Sequence, residues 1–378
     1  MDTSNVPSQL DEEDLRAELE IELPDSGADP YLMSADYDPE APEIEIIEDD
    51  DGGVVVDFDP GDMRGDSENF YENLAEEMPD RELGRIASDL LGEFDSNKSS
   101  RQEWEDTYKN GLDLLGFNYE ERTSPFRGAS GVTHPLLAEA ATQFQAQAFN
   151  ELLPSSGPVR TVVLGKDTRD KQDQAHRVKQ FMNYYITNVM EDYTPDMDQM
   201  LFYLPLAGST FKKIYYDSNL GRAVSKFVPA ENLVVPYDTS DLDTCPNITQ
   251  VVRMDLNDLR KKQVAGVYLD IDVIPSQGEV TSVRSELDRI DGFEPNQIDY
   301  DCTLLECHVD LDLEGYEDIG EDGEPTGIKV PYIVTISQDN SEILSIRRNY
   351  AEDDEKKKKI SYFVHYKFLP GFGFYGLG

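Results

Sequence analysis

Between Asp80 and Gly208, apolar residues recur mainly at steps of three and four; beyond Ser209 they tend to alternate. The first spacing marks helices with one buried stripe, the second half-buried strands. Leu83, Ile86, Ala87, Leu90 and Leu91 predict a helix that starts near position 80. Trp104, Tyr108, Leu112 and Leu115 predict a second over 100–116, with Gly116 as its stop. A loop punctuated by Pro125, Gly128 and Gly131 follows. The next helix can be capped by Thr133, with Pro135 in a first turn that does not need its missing N–H. Its stripe is Leu137, Ala141, Phe144, Ala148 and Leu152, and Gln143, Gln145 and Gln147 suit its other face to packing against protein. The run 159–164 predicts a short strand. Thr168 opens a long helix with the stripe Ala175, Val178, Met182, Tyr185, Ile186 and Val189. Thr194-Pro195 caps another that buries Met197, Met200, Leu201 and Leu204, ended or kinked at Pro205 and Gly208.

The second half predicts strands over 210–216, 223–228, 233–236, 248–254, 303–313, 330–337, 343–347 and 360–368. Residues 217–221 and 337–340 read as hairpin turns. A short helix over 255–264 and a loop-rich insert over 270–297 interrupt the series. Helices first and antiparallel strands second predict an α+β fold.

Charge divides the chain differently. Of 378 residues, 78 are acidic and 33 basic, a net charge of −45. Residues 1–80 hold 28 of the acids against only Arg16 and Arg64, so −26 lies there and −19 on the other 298 residues. That segment, with its block Glu48-Asp-Asp-Asp51, cannot bury enough apolar surface to offset its ordering entropy. It reads as a disordered acidic arm, a solvating tail or a partner-binding segment, in which 53–58 can pair as a strand. The predicted organisation is an acidic arm over 1–80, a helical region over 81–208, an antiparallel β-rich region over 209–368 and a distinct end over 369–378. That end, Leu-Pro-Gly-Phe-Gly-Phe-Tyr-Gly-Leu-Gly, carries no charge. It reads as the interior of a longer protein or as a docking arm, because termini are usually polar.

The acidic balance argues against sequence-specific duplex binding, which needs a basic footprint, and against an anionic membrane surface. Cys245, Cys302 and Cys307 cannot build a disulfide framework. Met1 to Leu10 lacks a secretory pattern, and no apolar run approaches the ~20 residues of a membrane span. The expectation is a soluble protein made in a reducing cytosol.

The sharpest chemical pattern is Glu306-Cys-His308-Val-Asp310-Leu-Asp312-Leu-Glu314. Strand alternation puts the carboxylates and the imidazole on one face and Leu305, Cys307, Val309, Leu311 and Leu313 on the other. The row is either the solvated face of a half-buried strand or a metal site. Neighbours on one strand face stand roughly 6.5–7 Å apart, so a metal would need ligands from a second strand. Cys302, Cys307 and His308 offer three zinc ligands where a structural site needs four. His134, His176, His308 and His365 fall on different elements, and His134 abuts a helix N-terminus in a capping position. Gly52-Gly53 lacks the strand, helix and Lys of a phosphate loop. No Ser or Cys stands in a nucleophile signature. Arg160, Lys166, Arg169, Lys171, Arg177 and Lys179 form a mildly basic stretch, a solvated helix face or a contact with phosphate or an acidic neighbour. Lys356 to Lys359 follows Glu352-Asp-Asp-Glu355 and reads as a self-neutralising hairpin tip. The residues therefore assign no catalytic, cofactor-binding or metal-ligating position.

One stretch reads further. Pro125-Phe-Arg-Gly-Ala-Ser130, Val132-Thr-His-Pro-Leu-Leu137, Ala138-Glu-Ala-Ala-Thr-Gln-Phe-Gln145 and Glu151-Leu-Leu-Pro-Ser-Ser-Gly-Pro158 follow one another within 124–160. Together with Tyr362-Phe-Val-His-Tyr-Lys-Phe-Leu-Pro-Gly-Phe-Gly-Phe-Tyr-Gly376 they bracket about 250 residues. This set resembles the portal (head-to-tail connector) proteins of tailed bacteriophages, in their short-tailed-phage-like branch. The resemblance implies a helical and β-rich wing, with the stem and clip beyond residue 378. It implies a non-enzymatic subunit of a twelve-membered ring at one capsid vertex, in the virion and, during assembly, in the host cytoplasm. Implied partners are other copies of the chain, the terminase large subunit, major capsid and scaffolding proteins, tail adaptor proteins, and double-stranded DNA passing without sequence specificity. Net acid suits a conduit, since it disfavours sticking through phosphate contacts. Two alternatives stand beside it: a metal-dependent hydrolase built on the carboxylate row from Glu306 to Glu314, and an acidic partner-binding module.

Overall fold

The hydrophobic pattern resolves into helices laid against antiparallel sheets. The structure, a computed structural model, describes residues 46–48, 54–56, 70–115, 126–131, 134–166, 168–217, 220–273, 282–291, 301–320, 324–354, 356–371 and 373–378. The chain divides into two units, Met1–Gly65 and Asp66–Gly378. In the first, β1 (Ile46–Glu48) pairs antiparallel with β2 (Val54–Val56), Ile47 opposite Val55. The run expected over 53–58 thus finds its partner in the same acidic segment. The other residues of 1–69 lie outside the described residues.

In the second unit the folded body reaches back to Phe70, ahead of the boundary at 80. A 3₁₀ turn, Leu74–Glu76, buries Leu74 and Ala75, and Met78 is buried with them. Three apolar residues among acids carry no periodicity, so pattern alone could not separate them from the arm. Helix α1 (Asp80–Ser100) buries Ile86, Ala87, Leu90 and Phe94. Helix α2 (Gln102–Asp113) buries Tyr108 and Leu112, and Leu115 beyond it is buried too; Gly116 lies outside the described residues.

Helix α3 (Leu136–Leu152) has Pro135 at its N-cap, one residue outside the position expected, and Thr133 lies outside the described residues. Most of its expected stripe packs inward: Ala141 is buried and Leu137, Phe144 and Ala148 pack against the cores, joined by Ala138, whereas Leu152 is exposed. Helix α4 (Arg169–Tyr184) is capped by Thr168, whose Oγ1 accepts from the Lys171 N–H, and runs into a π turn, Tyr185–Val189. The stripe expected here is only partly covered: Ala175, Tyr185, Ile186 and Val189 are half-buried, Val178 and Met182 are exposed, and no residue of α4 is fully buried. The run 159–164 forms no strand either. Helix α5 (Tyr193–Ala207) starts one residue before Thr194 and buries Met197, Met200, Leu201 and Leu204 as expected. Pro205 sits inside it, and Leu206 and Ala207 continue its buried face. Gly208 ends it at φ +73°, the left-handed conformation open to glycine.

Strands β3 (Ser209–Asp217), β4 (Arg222–Pro229) and β10 (Phe363–Lys367) form an antiparallel sheet in the order β10-β3-β4. A five-stranded antiparallel sheet runs β5 (Leu233–Val234), β6 (Asn247–Asp255), β7 (Asp301–Leu311), β8 (Val330–Ser337) and β9 (Glu342–Arg348). The α+β reading with antiparallel pairing therefore holds. Helix α6 (Leu256–Val264) follows β6, and α7 (Ser282–Asp291) lies within the insert expected to be loop. Its Val283 and Leu287 join the core of α2, and Arg289 pairs with Asp113 at 2.7 Å.

Two large cores result. One gathers α2, α3, the end of α5, β3 and β4 around Phe211 and Phe374. The other packs α1 and the 70–78 segment on one face of the five-stranded sheet. Helical and β-rich regions share these cores. Residues 369–378 fold back into the first: Phe374 and Tyr375 are buried, and Leu369 bridges Leu377.

Candidate functional site

The carboxylate row falls on β7, the central strand of the five-stranded sheet. Alternation holds: Leu305, Cys307, Val309 and Leu313 enter the core beneath α1, while Glu306 and His308 face the other way. The solvated-face expectation fails for that pair. The three-stranded sheet covers them, and His308 is only 2 % exposed. Lys213 of β3 reaches across to Glu306 at 2.5 Å and donates to Gln250 Oε1 at 3.0 Å, Gln250 lying opposite Glu306 in the β6–β7 register. The other oxygen partner of the network is the His308 ring, whose Nε2 lies 2.8 Å from the same Glu306 Oε1. Tyr362 and Phe363 meet the imidazole edge-on, with centroids at 5.6 and 5.1 Å.

Burial pushes the Glu306 carboxyl up, but the His308 hydrogen bond and the Lys213 charge outweigh it and bring the group down to about 2. Burial lowers His308 against the pull of Glu306. The result is a carboxylate held between an ammonium and an imidazole, a joint between two sheets. Asp310 is half buried and raised by burial. Asp312 and Glu314 lie past the end of β7. The row therefore does not converge on a point. Among the described residues no three His, Cys, Asp or Glu side chains lie in a metal-binding group.

The zinc triplet is separated by the same alternation. Cys302 sits with Leu304, Leu259 and Leu344, while Cys307 lies on the opposite face with the core of α1. Burial raises the Cys307 thiol to about 12 and also raises Cys245. Both are protonated packing groups.

His365 and Ser209 make a serine–histidine contact, Oγ to Nε2 at 3.0 Å. The ring stacks on both Phe211 and Phe374, each 4.5 Å away, and these two also stack on each other at 5.9 Å; burial drives the imidazole down to about 3. Ser209 is fully buried and accepts from the Gly376 N–H at 2.7 Å. The pair fastens the 369–378 turn to β3 and β10. His134 offers its backbone carbonyl to Leu136 N at 2.8 Å, and His176 is exposed on α4. The tip expected to neutralise itself is tied down more widely. Asp354 accepts from the backbone of Lys356 and Lys358, Lys357 pairs with Asp318, and Lys359 donates to the Leu242 and Cys245 carbonyls.

The polar node with the most bonds escaped the sequence reading. Arg101, 1 % exposed, donates to the carbonyls of Ala230, Glu231 and Leu233, to Glu105 Oε1 and to the Tyr375 hydroxyl. Its guanidinium lies 5.5 Å from the ring centroids of both Trp104 and Tyr375. Beside it Glu231 is pushed up to about 6, burial outweighing the nearby Arg101 charge.

These arrangements hold elements together; a shallow recess is lined by Leu256, Leu259, Arg260, Gln263 and residues 270–273. Among the described residues no helix is long and apolar enough to cross a membrane. No protein-family model matches the chain, and no curated protein matches it.

Proposed function

We propose that this chain is a portal subunit, a structural protein that joins other copies in a ring at one capsid vertex and lets double-stranded DNA pass. One observation carries the reading. The two segments that resemble portal proteins, 124–160 and 362–376, lie some 200 residues apart in sequence and meet in the fold. Phe144 of α3 stands edge-on to Phe368, with centroids 5.1 Å apart. Phe144, Ala148, Phe149 and Tyr366 pack together around Met197, Met200 and Leu201 of α5. Gln145 extends the contact by donating to Asp198 Oδ1 at 2.9 Å. The resemblance thus falls on one packed unit.

Charge and chemistry support the same reading. A net charge of −45 per copy keeps a large ring soluble and disfavours adhesion to DNA. The buried polar groups serve as joints between helices and sheets, as a structural subunit requires. Terminase, capsid, scaffolding and tail proteins are the partners that this function entails.

Native mass spectrometry and negative-stain imaging of the full-length gene product test the proposal. A closed ring of about twelve copies is expected. A product that stays monomeric at high micromolar concentration overturns it.

A further inference from the structure

Residues 154–189 make a lobe that turns apolar side chains outward from both its helix and the run before it. Helix α4 has sixteen residues and none is buried, although Val178, Phe181, Met182 and Tyr184 give it an apolar side. An amphipathic helix owes most of its stability to covering such a side. The preceding run 159–164 has the composition of a strand, yet Val162 is 80 % and Leu164 85 % exposed. Val159 and Thr161 are fixed to the helix: Asn183 Oδ1 accepts from Val159 N, its Nδ2 donates to Val159 O, and Thr161 Oγ1 donates to Ala175 O. The segment thus presents apolar side chains from a helix and from a β-prone run together.

Charge selects what covers it. The lobe holds six basic residues, Arg160, Lys166, Arg169, Lys171, Arg177 and Lys179, against Asp167, Asp170 and Asp173, a net +3 that leaves −48 on the remainder of the chain. A lobe-to-lobe contact across a two-fold axis sets like charges together. A lobe against the remainder of another copy sets unlike charges together, and such a head-to-tail contact generates rings when its rotation closes. We infer that residues 154–189 dock on the acidic body of a second copy of this chain, head to tail. This rests on the ring reading above and names the surface that makes the ring.

The test compares the full-length wild type with Phe181→Asp/Val178→Asp and with Lys171→Glu/Arg177→Glu, by sedimentation velocity and native mass spectrometry across protein concentration. Because these side chains are exposed, circular dichroism of the variants is expected to match wild type. Self-association is expected to weaken at least tenfold in each pair, and in the charge pair the loss is expected to shrink as salt screens the contact. A photo-crosslinker at position 181 is expected to yield a cross-linked dimer. Assemblies unchanged in both variants overturn the lobe contact and leave the ring reading standing; a wild type that does not assemble overturns both. A crosslink only to residues 1–65 of the same chain, or duplex binding lost in the charge pair while assembly persists, overturns the second copy as occupant.

Discussion

Arg101 and Tyr375 lie 274 positions apart in sequence and hydrogen-bond at 2.9 Å inside the protein. The tyrosine oxygen also donates to Leu233 O at 2.8 Å and accepts from Val235 N at 3.3 Å. Through that one hydroxyl, helix α2, the 230–235 turn and the 369–378 segment become a single joint. Removing the guanidinium would take its donor from the buried Ala230 and Glu231 carbonyls and from Glu105, while Leu233 O would keep the Tyr375 hydroxyl. Arg101→Ala is therefore expected to lose about 3–5 kcal/mol, the cost of breaking a buried charged network. Tyr375→Phe, which keeps the ring against Trp104, should lose about 1–3 kcal/mol. Urea denaturation measures both, and equal small losses would show that the joint does not act as one network.

Gly208 makes a second point of attachment. It sits at φ +73°, and a Cβ there would fall against the Gly376 carbonyl oxygen. Gly208→Ala combines left-handed strain of about 1–2 kcal/mol with this clash. The expected result is a lower melting temperature together with faster amide exchange of Phe374 and Tyr375, both read in one exchange experiment.

Phe144 lies half buried between α5 and Phe368. Phe144→Asp brings a carboxylate into that contact, and a loss on the order of 3 kcal/mol is expected from lost packing and desolvation. The variant should fold poorly and fail to assemble. Rings of wild-type yield and stability from it would remove Phe144 from the structural core.

Acid should weaken the fold in two steps. His365 is depressed from 6.5 to about 3 and His308 is lowered as well, so protons bind the unfolded chain better than the folded one. Their contribution is complete above the unfolded value and is lost as pH falls from about 6.5. Glu306 is depressed from 4.5 to about 2, and its contribution drains below about 4.5. Melting temperature measured against pH should decline across pH 6.5 to 3, and His365→Gln should flatten the upper part of that decline. An unchanged slope would mean that the ring stacked on Phe211 and Phe374 is not resisting protonation.

Much of the architecture was legible because periodicity reports burial directly. Strands β3, β4, β6, β7, β8, β9 and β10 fall on runs of alternating or β-branched residues, and α5 buries the four residues its stripe named. Periodicity reported less where a face stays open or signals are sparse. Among the described residues the stripe of α4 leaves Val178 and Met182 exposed. Helix α7 was missed because its buried Val283 and Leu287 stand among charges.

The sequence by itself determined the α+β order of elements, the antiparallel pairing, the concentration of acid at the N-terminus and the two faces of the strand from Glu306 to Glu314. These follow from local spacing and composition. Only the tertiary structure decided what lies opposite each face. It set Lys213 across from Glu306, and brought Arg101 to Tyr375 and Phe144 to Phe368. The physical reason is that a side chain's charge state and bonding depend on neighbours supplied by other strands and helices. A local pattern orients a residue toward a face, and the packing of distant elements determines what that face meets.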